Sequence, residues 1–264
     1  MLHNLFHHIQ GTQQTGSTYP SRIIAWRWLA AHLPAMLPAR IVTDHGGLAQ
    51  AEALLQEGYG LLVLMNHFSK RDGLQVLQLL FGSDVLRRRP TLAPVASHLV
   101  NPLVRFLAGR TGVQLAPVTT QEAVDNLGLD AEPVQSALAY TQQAVATLQA
   151  GGVVLLAPQA GRRPSLGRPQ MRPVSLLLAQ ARRKRVARVA LLCVGLRMPG
   201  VDDYALEKVG GLNLLQPYEL SIGRAVTYEE AVAQAGGHKQ LDTWVYASLE
   251  PLVAPAYVGN RGLS

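Results

Sequence analysis

A histidine and an aspartate five positions apart carry the sharpest chemical signal in the chain, in the run Asn66-His67-Phe68-Ser69-Lys70-Arg71-Asp72. An imidazole can take a proton from a hydroxyl near neutral pH. A carboxylate bonded to its second ring nitrogen fixes the tautomer and stabilises the imidazolium that forms. The same division of labour serves the His and Asp of a Ser-His-Asp triad, and here the nucleophile would be a hydroxyl of the substrate. A plainer reading of the same residues has Asp72 as a helix N-cap and His67 bonding within its loop.

The surroundings suit the catalytic reading. Gly60–Met65 is a short apolar run fitted to a buried strand, and Leu74, Leu77, Leu80 and Phe81 recur at helical spacing over 72–81. His67 is therefore expected on a loop between a strand and a helix. Further along, helices are predicted at 49–57, 101–108, 132–149 and 173–183, with a terminal one at 241–252. Strands are predicted at 91–96, 112–118, 153–157, 186–196 and 220–223. Gly58, Gly109 and Gly151-Gly152 supply helix stops, and Pro173 fits a first helical turn. Strands alternating with helices predict an α/β fold: a mostly parallel sheet covered by helices on both faces, with ligands beyond the carboxyl ends of the strands.

Residues 49–258 read as this α/β domain. Residues 1–48 read as a flexible segment followed by an amphipathic helix, and 259–264 as a flexible tail. Within 1–48, Ile23, Ile24, Trp26, Trp28, Leu29, Leu33, Met36 and Leu37 form an apolar stretch interrupted by Arg27 and His32. Such a stretch suits either the membrane interface or packing on the domain. No window reaches the ~18 consecutive apolar residues of a spanning helix, and no export signal is read at the N-terminus.

Of 264 residues, 48% are hydrophobic, enough for a core and too many for a disordered chain. The formal net charge of +7 predicts an anionic partner. It is concentrated: 133–201 holds no Asp or Glu but does hold Arg162, Arg163, Arg168, Arg172, Arg182, Arg183, Lys184, Arg185, Arg188 and Arg197. An anionic membrane surface fits this cluster, since each cation near such a leaflet contributes roughly 1 kcal/mol. Nucleic acid is not expected, because the run lacks interleaved aromatics for base stacking. One cysteine, Cys193, in an apolar strand reads as a core residue in a reducing compartment. His3 and His7-His8 lack carboxylate or thiol neighbours and are read as solvated, so no metal is assigned. No glycine pattern has the spacing of a phosphate loop, so no cofactor is assigned either.

Asn-His-x4-Asp after an apolar strand resembles the first motif of the glycerolipid acyltransferases, the family of glycerol-3-phosphate and lysophosphatidic acid acyltransferases. The family's next block, Phe-Pro-Glu-Gly-Thr-Arg-Ser after a strand, is met here by Ala157-Pro158-Gln159-Ala160-Gly161-Arg162-Arg163, with Pro and Arg in register. A third block, an apolar strand leading to Pro, has Cys193 at the Pro position. A fourth, Gly then a strand and an Arg, falls at 112–118, where no Arg stands; Arg105 or Arg110 from the preceding helix, or Arg163, is the candidate substitute.

The resemblance implies transfer of a fatty acyl group from acyl-CoA or acyl carrier protein to a hydroxyl of a phosphorylated glycerol or related alcohol, without metal. His67 is then the general base and Asp72 its orienting partner. Arg162 holds an acceptor phosphate, and Asn66, Gln159, Gly161 and Arg163 complete the substrate-binding set. The single cysteine, the Trp26/Trp28 stretch and the basic cluster point to a cytoplasmic protein peripheral to the inner face of the cell membrane. Gln159 for Glu and the absent Arg point away from glycerol 3-phosphate as the acceptor. They also keep open a second reading, an inactive relative that binds lipid or acyl carrier protein.

Overall fold

The structure is a computed structural model that describes residues 20–32, 39–119, 124, 133–169, 172–205, 209 and 216–258. The N-terminal histidines, residues 33–38 of the apolar stretch, Gly210-Gly211 and the tail 259–264 lie outside the described residues.

In chain order the elements are α1 (Ser21–Ala31), β1 (Ala39–Asp44), α2 (Gly47–Gln56), β2 (Gly60–Met65), α3 (Asp72–Gly82), β3 (Thr91–Ala96), α4 (Pro102–Thr111) and β4 (Val113–Val118). They continue with α5 (Pro133–Gln149), β5 (Val153–Leu156), α6 (Pro173–Arg183), β6 (Val189–Arg197), β7 (Tyr218–Thr227), α7 (Tyr228–Ala235), α8 (Leu241–Leu249) and α9 (Pro255–Val258). The strands form one sheet in the order β1-β7-β6-β2-β5-β3-β4. β2 to β6 run parallel, while β7 is antiparallel to β6 and β1 is parallel to β7. The fold is thus α/β with a mostly parallel sheet flanked by helices. Every residue of β2 and β5 is buried, as expected of central strands covered on both faces.

Direction of connection decides where a ligand can enter. The chain leaves β2 toward β3, past β5, and leaves β5 toward β6, past β2. Neighbouring strands whose connections depart in opposite directions leave a crevice at their carboxyl ends. His67 follows β2 and Gln159 follows β5, so both stand at that crevice. Pro94 widens it: pairing of β3 with β5 stops at Leu92, while pairing with β4 continues to Ala96. A proline has no N–H to extend a ladder.

Right-handed crossovers place helices that leave in opposite directions on opposite faces. Accordingly α1 packs on α3 and α4, and α6 packs on α5 and α8. α1 is anchored by a charge. Arg27 is fully buried and its guanidinium donates to the carbonyls of Thr111, Gly112, Arg87 and Arg89 at 2.6–3.2 Å. A cation at the C-terminal carbonyls of α4 also answers that helix's dipole.

Two strands differ from the sequence expectation. β1 lies inside the segment 1–48 and joins the sheet edge beside β7. β7 itself spans ten residues where a short strand at 220–223 is predicted. Both sit at or next to an edge, where alternation of apolar residues is weak and neighbours decide the conformation. α7 has no counterpart among the predicted helices and begins with a capping box, Thr227 with Glu230.

Because Arg27 satisfies four carbonyls in a dry site, Arg27→Met is expected to lower the unfolding free energy by about 2 kcal/mol or more. Urea denaturation followed by circular dichroism measures this, and an unchanged midpoint would show that α1 is held by apolar packing alone.

Candidate active site

The loop after β2 is fixed at each step. Asn66 is buried, and its amide bonds both backbone groups of Leu196 on β6: Nδ2 donates to the carbonyl at 2.9 Å and Oδ1 accepts from the N–H at 2.7 Å. This ties the end of β2 to β6 just before the chain turns. Asp72 then gathers the turn. Its Oδ2 accepts from the Phe68 and Ser69 N–H groups, each at 2.7 Å, and from His67 Nδ1 at 3.0 Å. Its Oδ1 accepts from the Tyr218 hydroxyl at 3.0 Å. A carboxylate at the first turn of α3 is also favoured by the helix dipole.

A carboxylate oxygen accepts, so Nδ1 donates and the neutral imidazole keeps its lone pair on Nε2. The Asp72 side chain is 0% exposed and that of His67 is 26% exposed. One edge of the ring is committed to a buried acceptor, and about a quarter of the side chain remains exposed. A pair bonded in this way has the arrangement that general-base chemistry requires.

The loop after β5 closes on the first. Gln159 is buried, and its Oε1 accepts from the His67 N–H at 2.8 Å. Its Nε2 donates to the Ser165 carbonyl at 2.8 Å and to the Tyr257 hydroxyl at 2.9 Å. The Arg163 N–H donates to the His67 carbonyl at 2.8 Å. Tyr257 in α9 donates to the same carbonyl at 3.3 Å. The peptide of His67 is thus held from the β5 side while its ring is held by Asp72. Ala160, at the family's Gly position, has φ +54°, a left-handed turn that glycine adopts without cost and alanine only with strain.

An aromatic box completes the support. Phe68 stacks on Tyr218 and meets Tyr204 and Tyr257 edge-on, with ring centroids 5.0–5.8 Å apart. Arg71 is fully buried, lies 4.8 Å over the Tyr218 ring and donates to the Gln216 carbonyl. Burial lowers the pKa of its guanidinium, with Tyr218 and Asp72 opposing. Burial raises the Tyr218 and Tyr257 phenols, and the Asp72 charge adds to the effect. Both phenols therefore keep their protons and act as donors.

The expected site residues fall into two groups. His67 and Asp72 are brought together, with Gln159 beneath them. Arg162 and Arg163 occupy the adjoining loop, and Arg163, Ser165, Arg168 and Tyr246 line a cavity of about 120 Å³ there. That volume is below the roughly 300 Å³ of a drug-sized ligand site and suits a small polar fragment. The amides of Asn66 and Gln159 are engaged by the protein itself, and a Cβ added at Gly161 would meet nothing within 4 Å. Arg110 stands in the last turn of α4, at the start of β4 and so at the far end of the sheet, its guanidinium over the rings of Trp26 and Phe106. Cys193 is buried and its thiol is pushed up to about 12. Tyr218, Tyr257 and Tyr204 are not singled out by the sequence. Tyr218 lies 146 positions from Asp72, and no local spacing could join them.

The site and fold together define an α/β protein with a His-x4-Asp loop at the switch point of a mostly parallel sheet. No family model and no curated protein matches the sequence. Among solved structures, the chain is similar to the crystal structure of the 1-acyl-sn-glycerophosphate (LPA) acyltransferase PlsC from Thermotoga maritima. The match covers 88% of this chain and 77% of that one, at 10% identity and a TM-score of 0.48.

The bonding around Gln159 requires an amide. Ser165 presents only a carbonyl and His67 only an N–H, so one end of the side chain must donate and the other accept. Gln159→Glu sets a carboxylate oxygen against the Ser165 carbonyl and is expected to cost about 1–3 kcal/mol of stability at neutral pH. Thermal unfolding of the two proteins measures this, and equal stability would mean that the two loops are not joined through this side chain.

Proposed function

We propose that the protein is an O-acyltransferase that moves a fatty acyl group from a thioester donor, acyl-CoA or acyl carrier protein, to a hydroxyl of a lipid precursor or related alcohol. The observation that carries this reading is the His67–Asp72 pair, with Nδ1 bound to a buried carboxylate and part of the ring open at the sheet's crevice. In this scheme the attacking oxygen comes from the acceptor. His67 Nε2 takes the acceptor's hydroxyl proton as its oxygen attacks the thioester carbon. When the tetrahedral intermediate collapses, the C–S bond breaks and the imidazolium returns the proton to the leaving thiolate. One ester bond forms and one thioester bond is lost.

The cationic loop after β5 gives the acceptor its charge preference. Arg162 and Arg163 stand within the loop that bonds the His67 peptide, and Arg168 borders the small cavity. Guanidinium groups there suit an anionic headgroup through charge-assisted hydrogen bonds. Asn66 and Gln159 act in this scheme by placing His67.

The membrane partner follows from surface chemistry. No helix among the described residues is long and apolar enough to cross a membrane. α4 buries no residue fully, and it exposes Leu103, Phe106 and Leu107 at i, i+3 and i+4, Leu103 at 64%. α1, packed beside it, exposes Trp28 and Leu29. Arg110 stands beside this stripe with its guanidinium over Trp26 and Phe106, and neither helix carries an acidic residue. An apolar stripe with only positive neighbours is complementary to an anionic bilayer, and it lies on the same layer as α3, which carries Asp72.

His67→Ala is expected to abolish transfer, by at least about 1000-fold in kcat, without unfolding the protein. Mass spectrometry of lipid extracts after incubation with mixed acyl donors and a panel of acceptors reads the product directly. Equal ester formation by both proteins contradicts the role of His67. Donor binding without turnover in wild type, unaffected by the substitution, favours a non-catalytic binder. The double change Phe106→Asp and Leu107→Asp is expected to weaken co-sedimentation with vesicles containing phosphatidylglycerol about tenfold or more. Unchanged binding would place the membrane contact elsewhere.

A further inference from the structure

We propose that Tyr218 is a positioning residue for the catalytic pair, the outer member of a chain His67–Asp72–Tyr218 that holds the carboxylate in place and tunes how strongly it grips the imidazolium. The inference rests on the acyl-transfer reading for its kinetic consequence, though not for its geometry.

The two carboxylate oxygens of Asp72 are divided between different parts of the protein. Oδ2 serves the loop, accepting from the His67 ring and from the Phe68 and Ser69 N–H groups. Oδ1 serves Tyr218, whose hydroxyl is 3.0 Å away. The Oδ2 bonds tie the group to its own loop, and a donor on Oδ1 from another strand ties its second oxygen to the sheet, so both oxygens are anchored. Tyr218 reaches Asp72 because β7 enters the sheet antiparallel to β6. Its first residue therefore arrives at the edge where β2 and β6 end.

The phenol is itself firmly placed. Tyr218 is 1% exposed, its ring is stacked on Phe68 at an interplanar angle of 13°, and Arg71 covers its ring. Ser69 bonds the same hydroxyl. The other titratable or charged groups that act on Asp72 are Arg71, Tyr204 and Tyr257. Of the three tyrosines, Tyr218 is the one bonded to the carboxylate. The Tyr204 hydroxyl is engaged with the backbone of Met198, and that of Tyr257 with Gln159 and the His67 carbonyl. A donor on Oδ1 draws charge from the carboxylate, so Asp72 orients His67 without holding its proton too tightly. General acid–base catalysis needs that balance, because His67 must release to the leaving thiolate the proton it took from the acceptor.

Tyr218→Phe removes one oxygen and keeps the ring, its stacking on Phe68 and the Arg71 contact. With a long-chain acyl-CoA and whichever hydroxyl acceptor wild type uses, kcat is expected to fall about tenfold with KM little changed, the factor carried by one hydrogen bond to a charged group. The acid limb of the kcat profile is expected to move upward by about half a pH unit or more, because the relieved carboxylate grips the imidazolium harder. A readout without substrate accompanies it. Diethylpyrocarbonate acylates neutral imidazole, and peptide mass spectrometry gives the pH midpoint of its reaction at His67, which is expected to rise in the variant. An unchanged midpoint together with unchanged kcat overturns the inference, and so does a raised KM with unchanged kcat, which would make Tyr218 a substrate contact. If wild type transfers no acyl group to any acceptor, the acyl-transfer reading falls, and the labelling midpoint alone still decides the role of Tyr218.

Discussion

One buried carboxylate organises the end of this molecule where chemistry is expected. Asp72 accepts two backbone N–H groups, one ring N–H and one phenol, and each partner fixes a different degree of freedom. The N–H bonds shape the turn between β2 and α3, the ring bond selects the tautomer of His67, and the phenol bond takes up the second carboxylate oxygen. A carboxylate in a dry site is tolerable only when its lone pairs are taken up, and here all these donors converge on it. The turn and the base are therefore one arrangement: whatever disturbs the carboxylate disturbs both.

The sheet's topology explains why donors from distant parts of the chain meet there. β2, β5 and β6 end at one edge, and β7 starts at the same edge because it runs the other way. His67, Gln159, Leu196 and Tyr218 belong to four segments yet sit within one hydrogen-bonded network. Asn66 ties β2 to β6, and Gln159 ties the β5 loop to His67, with Tyr257 from the C-terminal helix α9 closing over both. The opposite end of the sheet is used for assembly instead, where Arg27 gathers the carbonyls at the C-terminus of α4 and locks α1 in place. An arginine that interrupts an apolar stretch in sequence becomes, in the fold, the part of α1 that is most deeply buried, while Trp28 and Leu29 remain outside.

Much of this architecture is legible in the amino acids. The central strands are short apolar runs that need cover on both faces, and the helices carry apolar residues at helical spacing with glycine or proline at their ends. β2, β3 and α6 match their predicted bounds. The His-x4-Asp spacing is local, so its hydrogen bond is readable from a turn between strand and helix. β1, α7 and the full length of β7 are less legible because elements at a sheet's edge take their conformation from neighbours that sequence does not reveal. Tyr218 and Tyr257 are hidden for a related reason. Each acts on the His67 loop across a long sequence separation, and an isolated tyrosine carries no motif. Gln159 reads in sequence as a changed substrate contact, and only the positions of Ser165 and Tyr257 show why an amide stands there.

The proposed chemistry depends on Asp72 holding His67 as the Nδ1–H tautomer, which leaves Nε2 as the base. Nitrogen-15 NMR of histidine-labelled protein reads that tautomer, with the His67 signals assigned by comparison with His67→Gln. Neutral His67 is expected to carry its proton on Nδ1 and to show the nitrogen shift of an unprotonated Nε2. A neutral ring protonated on Nε2 would contradict it, since Asp72 would then receive no proton from the ring and the base would face the wrong way.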